Sequence, residues 1–471
     1  MEKLEKNIKY YGKFSIQTDS LKDIYFDAQM FFNEENNFQM EVSYSSPVIE
    51  TIDLTNFIEH TFNFYDIQGF IIIGKKKNEI SLLNCSLSKN SWYESFDRKS
   101  SLKTLYNRYV KINIGAYILN TRVTSNSPIQ NAKFKFSALS MWADKLEYED
   151  IDNILRIPKT KEWHSFVDTG DELIIKNFME EEKCNNQVSL KQTAALYIIF
   201  KEMQSFRSYL DYGRIYNDFF VLMTGRKSDI ENFYVIFEGQ TDFLEVFVNY
   251  KSCNPVFTEK VFFTFDYLIK NLFSLNKWYT YYKKTNLAYS LFFDTFHFKE
   301  RYMTDILLDA YIRSFEGMIT KFYFINNYFI TGSKNQKIIK SIKKNIIPLI
   351  ESSLKKFDNE KFKIDNYLER YKQTVLDSFS HAYELSFKNR IELFFDLHKN
   401  HFIDEFNKYD RNEIIAQMIQ FRNAYAHTDD SKLNIESLFT LIRFIKKMIL
   451  VHLYSDVLEL DNYTIDFKDL I

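Results

Sequence analysis

Apolar and polar positions along this chain follow a period of two in the first third and a period of three to four beyond about residue 265. Phe38, Met40, Val42 and Tyr44 alternate with polar neighbours, as in a strand with one buried face. Phe70-Ile71-Ile72-Ile73-Gly74 and Ile80-Ser81-Leu82-Leu83 flank Lys75-Lys76-Lys77-Asn78, which predicts a hairpin with a lysine-rich tip. Alternation returns at Val110, Ile112 and Ile114 before Gly115, and at Phe134, Phe136 and Ala138 before Trp142. From Trp163 to Tyr250 the signal is mixed. Leu173-Ile174-Ile175 and Ala195–Phe200 suit buried strands, and Phe219–Met223 before Thr224-Gly225 predicts a helix ended by glycine. Phe233–Phe237 with Phe243, Val246 and Val248 predicts a last strand pair.

Beyond Phe265 the period lengthens. Leu307, Leu308, Tyr311, Ile312, Phe315 and Ile319 form a broad apolar stripe with Glu316 beside it. Lys334, Lys337, Lys340, Lys343 and Lys344 collect along one side of the next helix, and Pro348 is expected to kink or restart it. Tyr383, Phe387, Ile391 and Phe394/Phe395 continue the bundle. The pairs Ile414/Ile415 and Met418/Ile419 mark another helix, and Ile435, Leu438, Ile442, Ile445 and Ile449 the last. The expected fold class is α+β: a β-rich, sandwich-like region over 1–265, divisible into 1–160 and 161–265, then an all-α helical bundle over 266–471.

Composition adds limits rather than identity. At 471 residues the chain is long enough for two or three cores. Net charge is -2, so any grip on nucleic acid has to come from a local patch or a cleft between subunits. Cys85, Cys184 and Cys253 lie far apart and form no metal spacing, which fits a reducing, cytoplasmic setting. The beginning, Met1-Glu2-Lys3-Leu4-Glu5-Lys6, carries no apolar leader core, and no run of eighteen uncharged apolar residues predicts a membrane span.

The chemistry that stands out is Arg422-Asn423-Ala424-Tyr425-Ala426-His427, at the junction of the last two helices. Five positions of continuous helix turn through roughly 500°, leaving the two side chains about 140° apart. They share one face only if the helix ends between them, or if a second subunit completes the site. Arginine offers a fixed fork of donors to a phosphodiester, and histidine exchanges protons near neutral pH. Such a pair can cleave RNA without a metal or other cofactor. Two competing features stay open from the residues alone. His398 and His401, with Asp396, Asp404 and Glu405, have the composition of a metal cluster. The lysine side of the Lys337, Lys340 and Lys344 helix is either a track for a phosphate backbone or a solvated face.

Arg-x4-His with a polar residue directly after the arginine, set between two C-terminal helices, resembles the HEPN superfamily. Leu82-Leu83-Asn84-Cys85, Ile114-Gly115-Ala116 and Leu139-Ser140-Met141-Trp142 are similar to blocks of the N-terminal domain of ApeA-type proteins, and Phe315-Glu316 to their HEPN part. The resemblance implies an anti-phage abortive-infection effector, a HEPN endoribonuclease that leaves a 2′,3′-cyclic phosphate, with transfer RNA as substrate class. It also implies a homodimer joined through the C-terminal helices and a phage-derived trigger. Arg422, His427, Asn423 and Glu316 are the implied catalytic set; Lys337, Lys340, Lys344 and Tyr425 are candidate RNA contacts. The alternative is a HEPN module that binds RNA or scaffolds without cleaving it. Thr428 stands where the family often has glycine, and Asp429 where nucleotide-modified HEPN toxins often carry tyrosine.

Overall fold

The structure, a computed structural model, describes all residues except 1–3, 6–7, 17–23, 33–36, 45–64, 88–92, 96–106, 144–145, 147–148, 152–153, 157, 185–186, 249–260, 298–303, 326–331, 358–366, 379–385, 427–433, 462 and 466–471. Tyr383 and Cys253 fall outside the described residues. Packing divides the chain into two compact units, Met1–Tyr279 and Thr280–Ile471.

The first unit is built on strands β1 (Tyr10–Ile16), β2 (Ile24–Phe32), β3 (Phe38–Tyr44), β4 (Tyr65–Ile73), β5 (Lys76–Leu87), β6 (Tyr93–Ser95), β7 (Asn107–Asn113) and β8 (Ala116–Leu119). They continue as β9 (Ile129–Phe136), the small hairpin β10 (Glu149–Ile151) and β11 (Ile154–Arg156), then β12 (Lys161–Phe166), β13 (Glu172–Cys184), β14 (Gln187–Gln204), β15 (Ile230–Phe237) and β16 (Leu244–Val248). The β-rich expectation holds, but the strands do not form two stacked sheets. One sheet runs β12-β13-β14-β9-β15-β16-β8-β5-β4-β1-β2-β3-β7-β6, and a further β5–β7 pairing closes six of its strands into a barrel. Strands from both sides of residue 160 share that sheet.

Strand alternation explains the barrel interior. Phe14, Met30, Met40, Val42, Ile71, Ile80, Leu82 and Ile112 point inward and are almost wholly buried. The closure turns on two small features. The strand β5 pairs β8 through Ile80–Leu83 and β7 through Ser86 and Leu87. Between these stretches Asn84 takes a left-handed φ of 52°, which short polar side chains tolerate. Its N–H donates to Asp66 Oδ1 at 3.1 Å. Opposite, a Cβ on Gly115 would lie 2.9 Å from the Asn84 carbonyl oxygen, so only glycine lets the two strands pass so closely. The β4–β5 hairpin turns at Gly74-Lys75; Lys76 and Lys77 already belong to β5, and the Lys77 ammonium lies 3.9 Å from the Phe70 ring centre.

Alternation through Phe134 and Phe136 forms β9 as expected, but Ala138 belongs to helix α1 (Ser137–Trp142), where the chain turns across the sheet. The buried helix α2 (Phe206–Thr224) packs on the open part of the sheet through Tyr209 against Phe134 and Phe220 against Phe136. Ser205 caps its start, and Gly225 ends it at φ 67° with its N–H on the Val221 carbonyl. Thr224-Gly225-Arg226 is therefore a helix stop. Two short steps follow, α3 (Phe265–Lys270) and the beginning of α4 (Phe273–Asp294), where Trp278 donates to the Ile215 carbonyl at 2.7 Å.

The second unit is helical: the rest of α4, α5 (Thr304–Ile325), α6 (Gly332–Leu354), α7 (Tyr367–Ser378), α8 (Phe387–Leu397), the short α9 (Ile403–Phe406), α10 (Arg411–Ala426) and α11 (Ile435–Val451). A π-helical turn, His452–Val457, follows α11. Apolar stripes meet as their period dictates: Leu308, Ile312, Phe315 and Ile319 of α5 are buried, as are Leu441, Ile442, Ile445 and Met448 of α11. The α11 stripe is thus core of its own bundle, and only Ile435 and Phe439 near its start stand exposed. Pro348 does not end its helix; α6 runs through it to Leu354. No helix among the described residues is long and apolar enough to cross a membrane.

Candidate functional site

Three helices of the second unit bring charge to one point. On α5, Phe315 turns inward and meets Phe394 of α8 edge-on at 5.2 Å, which sets the two helices side by side. Glu316, one position on, is rotated by about 100° and reaches the rim. Arg390 of α8 donates from Nη2 to Glu316 Oε1 at 3.0 Å and from Nη1 to the Thr320 hydroxyl, which itself donates to the Glu316 carbonyl. Arg422 of α10 reaches the same Oε1 from its Nη2 at 3.4 Å. One carboxylate oxygen therefore serves two guanidinium groups, and the cluster keeps one net positive charge.

The two arginines differ in setting. The Arg390 side chain is only 10% exposed, while that of Arg422 is 42% exposed. Beside Arg422, Asn423 is exposed and its Oδ1 lies 3.5 Å from Arg422 Nη1. The Phe387 ring lies below the guanidinium with its centre 5.8 Å away. Tyr425, 37% exposed, stacks on Phe421, and the Arg313 guanidinium lies 5.9 Å from its ring centre while pairing with Asp309. A cation held loosely at the open end of α10, with flat rings beside it, suits a phosphodiester and its bases.

Of the expected set, Arg422, Asn423 and Glu316 come together here, and Tyr425 stands at the edge. His427 follows directly on Ala426, the last residue of α10, and lies with Thr428 and Asp429 outside the described residues. Lys337, Lys340 and Lys344 are exposed within about 60° of one another around α6, away from Ile338, Ile342 and Leu349. That helix packs mainly against α7, with Lys372 of α7 bonded to Glu351 at 2.7 Å. Sequence reasoning missed Arg390, Thr320, Arg313 and Phe387. The available signal was a charge inside an apolar stripe, since Arg390 falls among Phe387, Ile391 and Phe394 at helical spacing.

The histidine-rich segment resolves differently. Among the described residues no group of His, Cys, Asp and Glu could hold a metal ion. His398 Nε2 and His452 Nδ1 both face Asp456 Oδ2, at 3.1 and 2.8 Å. Burial alone would raise the Asp456 carboxyl; hydrogen bonds from the two histidines, and their charges, outweigh it and hold the group at about 2. Asp396 pairs with Arg411 and Glu405 with buried Lys447, each at 2.7 Å, so neither is free for a metal. His401 stacks on Tyr463. The cluster ties the π-helical turn after α11 to the end of α8.

A family model described as ApeA N-terminal domain 1 matches residues 9–278, which is the barrel, the open sheet and α2 through to the first turns of α4. No curated relative and no solved structure matches the chain. With more than half of its length matched, the chain belongs to the ApeA N-terminal domain 1 family and is an ApeA-type defence protein.

Proposed function

We propose that this protein is a metal-independent endoribonuclease of abortive-infection defence, acting through Arg422 and His427. The observation that carries the reading is Glu316 of α5 holding Arg422 at the exposed end of α10, five residues before His427 in the sequence. In the reaction, His427 takes the proton of a ribose 2′-hydroxyl, and the 2′-oxygen bonds to the adjacent phosphorus. The bond to the 5′-oxygen breaks, and that oxygen leaves as a 5′-hydroxyl with a proton from an acid or water. Arg422 neutralises the phosphorane, and Asn423 orients the arginine. Lys337, Lys340 and Lys344 track the backbone, and Tyr425 stacks a base. Transfer RNA is the proposed substrate class and a phage-derived signal the proposed trigger, both carried over from the HEPN and ApeA-type resemblance of the sequence. Cleavage should persist in excess EDTA and yield 2′,3′-cyclic phosphate ends, read by end-mapping total RNA after induction. A 5′-phosphate product, or loss of cleavage on chelation, overturns it; RNA binding without any cleavage marks the non-catalytic module instead.

The working unit in this reading is a homodimer with both Arg422–His427 pairs facing one cleft, which doubles the positive charge available to a polyanion. The α11 stripe does not supply its interface, being core. Exposed Ile435, Phe439 and Ile306 stand at the starts of α11 and α5 and are the surface offered instead. Light scattering at micromolar concentration is expected to give twice the chain mass. Mixing inactive Arg422→Ala and His427→Ala chains should restore part of the activity if the site is shared; a fully active monomer rules the shared site out.

A further inference from the structure

We infer that Arg390 is a positioning residue: by holding Glu316 it leaves Arg422 oriented yet available to phosphate. This rests on the nuclease reading for what Arg422 binds, but not for how the three side chains are coupled. Arg390 is the buried member, and Glu316 is the only carboxylate paired with it among the described residues. Its Nε is buried without an acceptor, so among the described residues the guanidinium is held by Glu316 and Thr320 alone. Taking Glu316 away would strand a buried charge, which is strongly unfavourable. The carboxylate therefore stays with Arg390.

Arg422 meets the same oxygen from the solvent side, at 3.4 Å rather than 3.0 Å. Exposed pairs of this kind contribute little and are screened by salt. With its charge already engaged by Arg390, Glu316 points Arg422 without competing strongly against an incoming phosphate. Without Arg390 the same carboxylate would turn its whole charge on Arg422, and the substrate would have to displace it.

The test uses the full chain in a His427→Ala background, where RNA is bound and not cut. Arg390→Gln is expected to weaken binding of a labelled single-stranded RNA about tenfold, and Arg390→Gln/Glu316→Gln to recover most of that loss. Arginine modification by phenylglyoxal, mapped by peptide mass spectrometry, supplies a readout independent of RNA. Labelling of Arg422 should slow at least threefold in Arg390→Gln and quicken in the double variant. Helical content at 222 nm checks the fold, and Arg390→Lys, which keeps the charge but cannot span Glu316 and Thr320 together, serves with an intermediate effect where Arg390→Gln does not fold. Unchanged Arg422 labelling in a folded variant, or a loss that Glu316→Gln does not recover, overturns the inference. If the reference binds no RNA while labelling shifts as stated, the nuclease reading fails and the coupling stands.

Discussion

Replacing His427 with alanine is expected to slow RNA cleavage by about 10²–10⁴-fold, the usual contribution of a positioned acid or base. Toxicity of the induced protein should fall with it, while helical content and chain mass stay as in the parent. The size of the effect follows from the chemistry: a 2′-hydroxyl is a poor nucleophile until its proton is taken, and the described histidines of the helical bundle are engaged elsewhere. His398, His401 and His452 are occupied with Asp456 or Tyr463. A histidine variant that cuts RNA at the parental rate makes His427 a structural residue and removes the basis of the mechanism. Comparison with Arg422→Lys is informative, because lysine keeps the charge and loses the two-pronged geometry.

Breaking the His398–Asp456–His452 cluster carries the largest expected cost in stability. Asp456→Asn should destabilise the helical unit by about 2 kcal/mol at neutral pH, because a carboxyl held at about 2 against an ordinary 3.8 represents that much favourable interaction with its ionised form. The sign follows from the direction of the shift. The folded value lies below the unfolded one, so the stabilisation is fully present above about pH 4 and is lost as pH falls towards 2. Acid titration of the parent should show that loss, and the variant should lack it. All four tryptophans precede residue 280, so ellipticity at 222 nm in urea, and not tryptophan fluorescence, is the measurement that follows the helical unit. Equal acid dependence in both proteins removes the cluster from the account.

How far the chain could be read in advance depended on the range of the interactions involved. Period-two stretches such as Phe38–Tyr44 and helical stripes such as Leu308–Ile319 declare themselves because burial on one face is a local property. Barrel closure is not local. It depends on β5 changing partners at Asn84 and on Gly115 passing close by, a fact about residues 31 positions apart. Both lie in the blocks that carried the family resemblance, although their geometry could not be read from spacing. At the site, Arg422, Asn423 and Glu316 were found by motif, but Arg390 was not singled out. Only the meeting of α5 with α8 shows that it shares a carboxylate with Arg422. At the histidines a composition that left a metal open is a hydrogen-bonded tie, because Asp456 arrives from beyond α11.

The fourteen-strand sheet has a consequence for solubility. A long sheet ends in unpaired backbone groups that invite strands of other chains, and here the described sheet has two such ends. One, β6, is three residues long and too short to template much pairing. The other, β12, carries Lys161, Glu162 and His164, mostly exposed, with Glu162 bridged to Lys176 of the neighbouring strand. Fixed charge along that margin makes a bare apolar strand a poor match for it. Six further strands have no margin at all, being closed on themselves. The chain is thereby guarded against growing into fibres edge by edge, which on the proposed reading protects it while it waits for its trigger.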